Sequence, residues 1–379
     1  MPICFDLSAA AHERAGLGRY ATGLAQALLG LGVPLSAFIN DPRESRLGAP
    51  LSDLPTFTAG LPRKRWRLRA AASYFGGPPM DRAFSGVTLF HATEHLLPWL
   101  TRARSVFTLH DVAYLRYPRY HLLQNRLYLS QMMPRFLARA DAIICVSEHT
   151  RQDALRYYPR LNPAKLHVIA EGVEPRFRPP ARLAELASIR AKYRLPERFI
   201  LYVGTIEPRK NLPVLLEAYA ALRQHLPEVG LVIAGGKGWL YESFFQTLRR
   251  LELEPHVKLT GYVPEADLPQ LIASAYVFAY PSEFEGFGLP PLEAMACGVP
   301  VACSNASSLP EVVGEAGLLL PPRDVHAWQA ALYNLLTDGD LRSDLRERGL
   351  ARALQFTWSK AARKTLEVYQ SLMPAEPGG

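Results

Sequence analysis

The run EFEGFGLPPLEAMACGVPV, residues 283 to 301, sets two carboxylates, Glu285 and Glu293, in an otherwise apolar stretch, with two glycines and two prolines between them. A carboxylate beside a buried segment is costly unless it is paired, hydrogen-bonded or open to a ligand. The surrounding pattern reads strand, loop, helix. The strand ends near Tyr280, Pro291 suits the first helical turn, and Gly298 suits the C-terminal cap. Gly286 and Gly288 then fall in a loop entering a helix N-terminus, where free backbone N–H groups and the helix dipole favour a phosphate. With Glu285 at the loop mouth and Glu293 in the first helical turn, both acids can accept hydrogen bonds from neutral hydroxyls, as a sugar or a ribose offers. The plainer alternative has Glu293 complementing the helix dipole and Glu285 exposed to water.

An acidic loop facing a diphosphate requires a cation. LYVGTIEPRKNLPVLLEAY places Arg209 and Lys210 after a strand and just before a helix, with Asn211 as the expected N-cap. Arginine holds a phosphate through two N–H groups and lysine as a point charge, so the pair suits a departing diphosphate. VIAGGKGW, with Gly235, Gly236 and Gly238, ends another strand and is a weaker candidate for nucleotide contact. In the first half, AGLGRYATGL puts Gly16 and Gly18 after the first strand at the opening of a helix, where backbone can approach a phosphate. It lacks the glycine spacing and the following acid of a dinucleotide fingerprint. FTLHDVAYL sets His110 and Asp111 at a strand end, where a neutral imidazole can bond a sugar hydroxyl. His91 and Glu94 of LFHATEHLLPW end another strand and are acceptor-side candidates.

These residues need strands to carry them. PICFDLS, TLFHAT, SVFTLHD, AIICVS and LHVIAEG in the first half, then FILYVGT, GLVIAGG, VKLTGYV, AYVFAYPS and PVACSN, are short apolar runs. Between them lie helical patterns such as GRYATGLAQALLGLG, LPVLLEAYAALRQHL and LPQLIASA. Near-continuous apolar strands alternating with helices mark parallel sheets covered on both faces. Two such series predict an α/β chain of two Rossmann-like, doubly wound domains facing a cleft. The break falls near GVEPRFRPPARLAEL, giving domains at residues 1–175 and 190–355. A basic amphipathic helix over 356–373 can pack on either domain, and the tail PAEPGG is expected to be disordered.

At 379 residues and 49% hydrophobic content the chain is long enough for two cores. Cys4, Cys145, Cys297 and Cys303 form no Cys-x-x-Cys pair or cluster with histidine, which argues against a zinc site or disulfide framework. The pair Asp338 and Asp340 in LLTDGDLRSDL reads as a turn with Asp340 as N-cap rather than a metal site. No leader pattern or membrane-spanning run is present, so a cytoplasmic chain is expected. Residues 1–190 carry 25 Lys and Arg against 14 Asp and Glu, whereas residues 191–379 carry 18 against 21. The sharpest basic cluster, LPRKRWRLRAAASYF, groups Arg63, Lys64, Arg65, Arg67 and Arg69 around Trp66 and Leu68. It reads either as a segment lying on an anionic membrane or as a solvated loop. No nucleic-acid motif accompanies the charge.

GTIEPRKN, GYVPEADLPQLIASA, PSEFEGFGLPPLEAMACGVPV and SSLPEVVGEAGLLLPPRD, in this order, resemble the retaining glycosyltransferases of family four, which have the GT-B fold. The likeness covers most of residues 200–328 closely. It extends more loosely to the first half through GLGRYATGL, TLHDVAYLRYP and IICVSEHTRQDAL. It implies that Glu285 contacts hydroxyls of the transferred sugar and Glu293 the nucleotide ribose, that Arg209 and Lys210 hold the diphosphate, and that His110 lies beside the sugar. The implied catalytic set is therefore His110, Glu285, Arg209 and Lys210. On the donor side, backbone near Tyr262 and Val263 frames the base, and Gly204 with the loop Gly286, Phe287, Gly288 and Leu289 approaches the phosphates, as do Gly16 and Gly18 from the first domain. No cofactor or bound metal is implied.

The chemistry expected is an ion-pair-like displacement in which the departing phosphate takes the acceptor proton and no carboxylate attacks the sugar. The donor is read as GDP-mannose, with a UDP-sugar as alternative, and the acceptor as a glycan or lipid-linked glycan of surface polysaccharide, made on the inner face of the membrane. A UDP-glucose-type transferase, a nucleotide-sugar epimerase of the same fold and a non-catalytic binding module are the competing readings.

Overall fold

Apolar runs of four or five residues, rich in Val, Ile and Phe, form the centres of two parallel sheets because both faces of each strand are covered by helices. The computed structural model describes residues 3–13 and 15–373; the PAEPGG tail, residues 374–379, lies outside the described residues. The first sheet contains β1 (Ile3–Asp6), β2 (Leu35–Ile39), β3 (Thr56–Thr58), β4 (Leu89–Ala92), β5 (Arg104–Leu109), β6 (Ala142–Cys145) and β7 (Leu166–Val168), in the order β3-β2-β1-β4-β5-β6-β7. The second contains β8 (Phe199–Val203), β9 (Gly230–Ala234), β10 (Val257–Gly261), β11 (Val277–Tyr280), β12 (Val301–Ser304) and β13 (Leu318–Leu320), in the order β10-β9-β8-β11-β12-β13. All their pairings are parallel.

Every residue of β1, β4, β6, β8, β9, β11 and β12 is buried, while the edge strands β3, β7, β10 and β13 are partly exposed. All ten runs read as strands form strands. The sequence reading missed β2, β3 and β13. Ser36 interrupts the apolar run of β2, and its hydroxyl is used in donating to the Ile3 carbonyl at 3.1 Å. The other two are three-residue edges, too short to show alternation. In each sheet the strand order reverses once, between β1 and β4 and between β8 and β11. Ligands of open α/β sheets bind beyond the strand carboxyl ends at such points.

The chain divides into two compact units. Residues 1–116, 123–172 and 357–379 make the first, and residues 117–122 and 173–356 the second. Two assignments change. Residues 173–175, placed in the first domain by the sequence reading, and residues 176–189, placed between the domains, belong to the second unit. So does Tyr117–Leu122, because its aromatic side chains pack there: Tyr117 lies 5.7 Å from the Phe284 ring, and Trp239 Nε1 donates to the Tyr120 carbonyl at 2.6 Å.

The C-terminal helix Trp358–Leu372 packs on the first unit, against helix Ala15–Gly30. Tyr369 Oη bonds His91 Nδ1 at 2.6 Å, and the Trp358 ring meets Tyr20 edge-on at 5.8 Å. Gly23 and Gly172 leave the space that Trp358 fills; a methyl group on either would overlap it.

In the second unit the loops after β8 and β9 remain knitted beyond the sheet. Gly204 N donates to Ala234 O, and Ile206 N to Gly236 O, both at 2.9 Å. Gly235 has φ +155°, and a Cβ there would fall on the Gly204 carbonyl. Gly235→Ala should therefore cost about 3 kcal/mol or more of stability, read as a lowered urea midpoint.

Candidate active site

The switch point of the second sheet gathers the charged residues read from the sequence. β8 ends at Val203, the chain turns through Gly204, and a single 3₁₀ turn, Pro208–Lys210, presents Arg209 and Lys210. β11 ends at Tyr280 and leads into Glu285 and the glycine loop, which enters helix Leu289–Ala296. Arg209 Nη1 donates to Glu285 Oε2 at 2.6 Å and to the Phe284 carbonyl at 2.7 Å, while Nη2 donates to Glu207 Oε1 at 2.7 Å. Lys210 Nζ donates to Glu285 Oε1 at 2.6 Å and to Tyr280 Oη at 2.7 Å. Glu285 is therefore neither exposed nor at an open loop mouth: it is 7% exposed and ion-paired to both cations.

Two positively and two negatively charged side chains, Arg209, Lys210, Glu207 and Glu285, thus balance one another at the carboxyl edge of β8 and β11. Burial pushes the Glu285 carboxyl up, but Arg209, Lys210 and the Ser282 hydroxyl outweigh it and leave its pKa lowered to about 2. Burial, helped by repulsion from Arg209, pulls the Lys210 ammonium below its ordinary value against the pull of Glu285 and Glu207. A carboxyl with a folded pKa of about 2 and an ordinary value of 4.5 binds fewer protons folded than unfolded. Its contribution to stability is complete above pH 4.5 and is lost as the pH falls toward 2. Glu285→Gln should flatten the acid limb of a stability profile measured by urea denaturation across that window.

Serines fix the loop that carries Glu285. Ser282 Oγ donates to Glu285 Oε1 at 2.6 Å, Ser307 Oγ accepts from Glu285 N at 2.8 Å, and Ser308 Oγ lies 3.0 Å from the Glu285 carbonyl and 2.6 Å from that of Phe287. Glu283, next along the wall, receives the Tyr120 hydroxyl at 2.8 Å and the Arg323 guanidinium at 2.8 and 3.1 Å. Its backbone N–H bonds the Arg209 carbonyl at 2.9 Å, so this clasp also holds the cation turn. Sequence reading passed over Glu207, Tyr280, Ser282, Ser307 and Ser308. The signal was present: each lies at a strand end or within a quoted motif, but their hydroxyls gain a role only once two distant loops meet.

The remaining donor-side residues surround this cluster. Phe287 and Leu289 are buried, at 5% and 7% exposure, and Gly286 is buried between them and Glu285. Gly288 adopts φ +127°, which lets the loop turn into the helix under Leu309. Glu293 is buried and lies in the second helical turn rather than the first, because the helix already begins at Leu289. Tyr262 and Val263 follow β10, the tyrosine 62% exposed and the valine buried. Asn211 occupies the N-cap position but does not cap. At φ +54° its side-chain amide donates instead to the carbonyls of Pro281 and Pro322. Asp338, not Asp340, caps helix Gly339–Ala353, accepting from Asp340 N and Leu341 N at 3.0 Å each.

In the first unit, His110 follows β5 and is 8% exposed, with Nε2 2.9 Å from the Thr93 carbonyl and Nδ1 3.6 Å from Glu171 Oε1. Asp111 caps the next turn by accepting from Ala113 N. Gly16 and Gly18 lie in the first turn of helix Ala15–Gly30, at the helix opening where the sequence reading puts them. A Cβ on Gly18 would come 3.1 Å from the Ala9 carbonyl, so that glycine serves close packing onto helix Ser8–Ala11. His91 is fully buried with both ring nitrogens bonded, to Tyr369 and Thr108, and burial pulls its pKa down to about 3. It is a neutral core histidine, not an acceptor-side group. Glu94 is half-buried.

Sucrose-phosphate synthase from Thermosynechococcus elongatus superposes with a TM-score of 0.78 over 98% of this chain and 99% of its own, at 23% identity. Anabaena HepE in complex with UDP-glucose does so at 0.74, over 98% and 100%, at 19% identity. The two Rossmann-like domains are thus those of the GT-B fold. The profile described as glycosyl transferases group 1 matches residues 187–352, and that described as glycosyltransferase family 4 matches residues 14–177. The O-antigen chain mannosyltransferase B of Escherichia coli is 37% identical over 319 residues, 82% of this chain and 77% of the relative. The chain belongs to the family-four glycosyltransferases, and it is an enzyme of glycosyl transfer.

Proposed function

We propose that the protein transfers mannose from GDP-mannose to a hydroxyl of a lipid-linked glycan, with retention of configuration, in building a surface polysaccharide. The observation that carries this reading is the Arg209–Lys210–Glu285 cluster at the switch point beside the glycine loop. The likeness to an O-antigen mannosyltransferase supports the sugar and the product class. Arg209 and Lys210 take the diphosphate with the amides of Gly286 to Leu289. Glu285 accepts hydrogen bonds from sugar hydroxyls, Glu293 from the ribose, and backbone at Tyr262 and Val263 flanks the base. His110 stands beside the sugar. The anomeric carbon–oxygen bond to the diphosphate breaks, the acceptor oxygen bonds the same face of that carbon, and the acceptor proton passes to the departing phosphate oxygen. Incubation with GDP-mannose, UDP-glucose and related donors, with and without lipid-linked acceptor, tests this. Acceptor-dependent release of GDP from GDP-mannose is expected; preference for a UDP-sugar would overturn the donor, and donor interconversion without acceptor would overturn transfer.

The acceptor reading includes a membrane surface. Arg63–Ser73 is a helix, not a loop, and Trp66 is turned into the core, 5.0 Å from the Phe38 ring, instead of outward. Its outer face keeps Lys64, Arg65 and Arg69 with Leu68, which is 69% exposed. Helix Leu123–Arg139 lies alongside: Arg67 Nη1 donates to Asn125 Oδ1 at 3.3 Å, and its guanidinium sits 3.9 Å over the Tyr128 ring. That second helix adds exposed Leu123, Arg126 and Leu127. Exposed leucines among arginines fit an anionic lipid surface. Among the described residues no helix is long and apolar enough to cross a membrane. Flotation with phosphatidylglycerol vesicles should carry the protein upward at low salt and release it at high salt, with Leu68→Ser/Leu123→Ser weakening it. Flotation equal on neutral vesicles, or none, would remove the membrane from the reading.

A further inference from the structure

Glu171, three residues beyond the end of β7, is a buried carboxylate that receives no hydrogen bond from the described residues of the first unit. It is 5% exposed, and the one polar group facing it at ion-pair distance among the described residues is His110 Nδ1, at 3.6 Å. That separation is too long for a hydrogen bond. A buried carboxylate in such a position is costly unless something donates to it.

The polar groups around it are already committed. His110 Nε2 faces the Thr93 carbonyl at 2.9 Å, an atom that only accepts, so Nε2 carries a proton and is spent. Tyr20, whose ring meets that of His110 edge-on at 4.8 Å, has its hydroxyl on Thr108 Oγ1 at 2.9 Å. Thr150 Oγ1 donates to the His110 carbonyl at 3.1 Å, and Thr93 Oγ1 to the Asp6 carbonyl at 2.6 Å. Both nitrogens of His91 are bonded. At this edge of the first sheet Glu171 and His110 Nδ1 lie close enough that one hydroxyl can donate to the carboxylate while accepting from Nδ1–H when the ring carries both protons.

We infer that Glu171 is a sugar-recognition residue, accepting a hydrogen bond from a substrate hydroxyl that also touches His110 Nδ1. The inference rests on the reading that His110 stands beside sugar, and it changes what His110 does: the histidine does not act alone but shares one hydroxyl with a carboxylate. Loss of that hydroxyl from the substrate leaves the carboxylate unpaired, so the pair rejects deoxy analogues. The hydroxyl comes from either the donor hexose or the acceptor sugar, and the test separates these.

Wild-type enzyme and Glu171→Gln are compared on GDP-mannose, on its 2-, 3-, 4- and 6-deoxy analogues, and on acceptors lacking single hydroxyls. Wild type should reject one analogue by about 100-fold or more in kcat/KM, as sites built to bond a hydroxyl do. In the variant that one ratio should collapse to about fivefold or less, the others staying unchanged. A collapse confined to a donor analogue assigns the hydroxyl to the hexose; one confined to an acceptor analogue assigns it to the acceptor. Thermal unfolding and GDP affinity should match wild type, since the nucleotide residues lie in the other unit. If the folded variant keeps every ratio, the inference is overturned. If wild type turns over no hexosyl donor in the panel, the functional reading fails instead.

Discussion

Glu285→Gln should move turnover and nucleotide affinity in opposite directions. In the resting protein the carboxylate occupies both Arg209 and Lys210, at 2.6 Å each, so an arriving diphosphate must take those cations from it. Each charge-assisted hydrogen bond displaced is worth about 1.5–3 kcal/mol, partly returned when Glu285 turns to sugar hydroxyls. Glutamine keeps the shape without the charge, so GDP should bind about tenfold tighter, a gain of about 1.4 kcal/mol. Turnover should nevertheless fall about 100-fold, because one acceptor oxygen becomes an NH2 donor and the negative charge facing the sugar is lost where charge develops. The variant should also unfold more readily, by about 3 kcal/mol, since two largely buried cations lose a partner. Bound GDP should restore that loss by filling the vacancy, giving a larger thermal shift than in wild type. Without its carboxylate Lys210 gives up its proton more easily, so the affinity gain should fade as the pH rises. Calorimetry on both proteins decides the matter: unchanged or weaker GDP binding by a folded variant would refute the exchange of partners.

This exchange was not visible in the sequence, although its members were. Arg209, Lys210, Glu285 and Glu293 stood out because their surroundings were short strands, glycines and prolines, features read from local pattern. The apolar cores of both sheets were legible for the same reason: a fully buried parallel strand is a continuous apolar run. What local pattern cannot carry is a contact between residues about 75 positions apart. Arg209 and Lys210 were therefore assigned to the diphosphate and Glu285 to the sugar as though independent, whereas the fold joins them directly. The same limit explains Trp66, read as surface because of its arginine neighbours and buried because Phe38 lies opposite it across the chain. It also explains Gly18, whose close packing against the carbonyl of Ala9 shows only in the fold.

Lys210→Met should lower turnover more than any other single change at the cation turn, by about 10²–10³-fold, the loss that follows removal of one group stabilising a developing oxyanion. Lys210 is the buried member of the pair, 7% exposed, with its ammonium held between Glu285 and the Tyr280 hydroxyl. A diphosphate reaching that ammonium meets a charge already stripped of water, where attraction is strongest. Methionine matches the length of lysine and removes an ion whose burial is itself costly, so stability should change by about 1 kcal/mol or less. Glu285 keeps Arg209 and Ser282 and stays ionised at neutral pH. Lys210→Arg should not rescue activity, because a planar fork does not fit where one compact ammonium points at two oxygens. The division of the loss is informative. A fall in kcat with GDP affinity held within about threefold means that Lys210 acts on the departing diphosphate rather than on its resting complex. A folded Lys210→Met enzyme with turnover within about threefold of wild type would remove Lys210 from the chemistry and leave Arg209 and the loop amides to stabilise the leaving group.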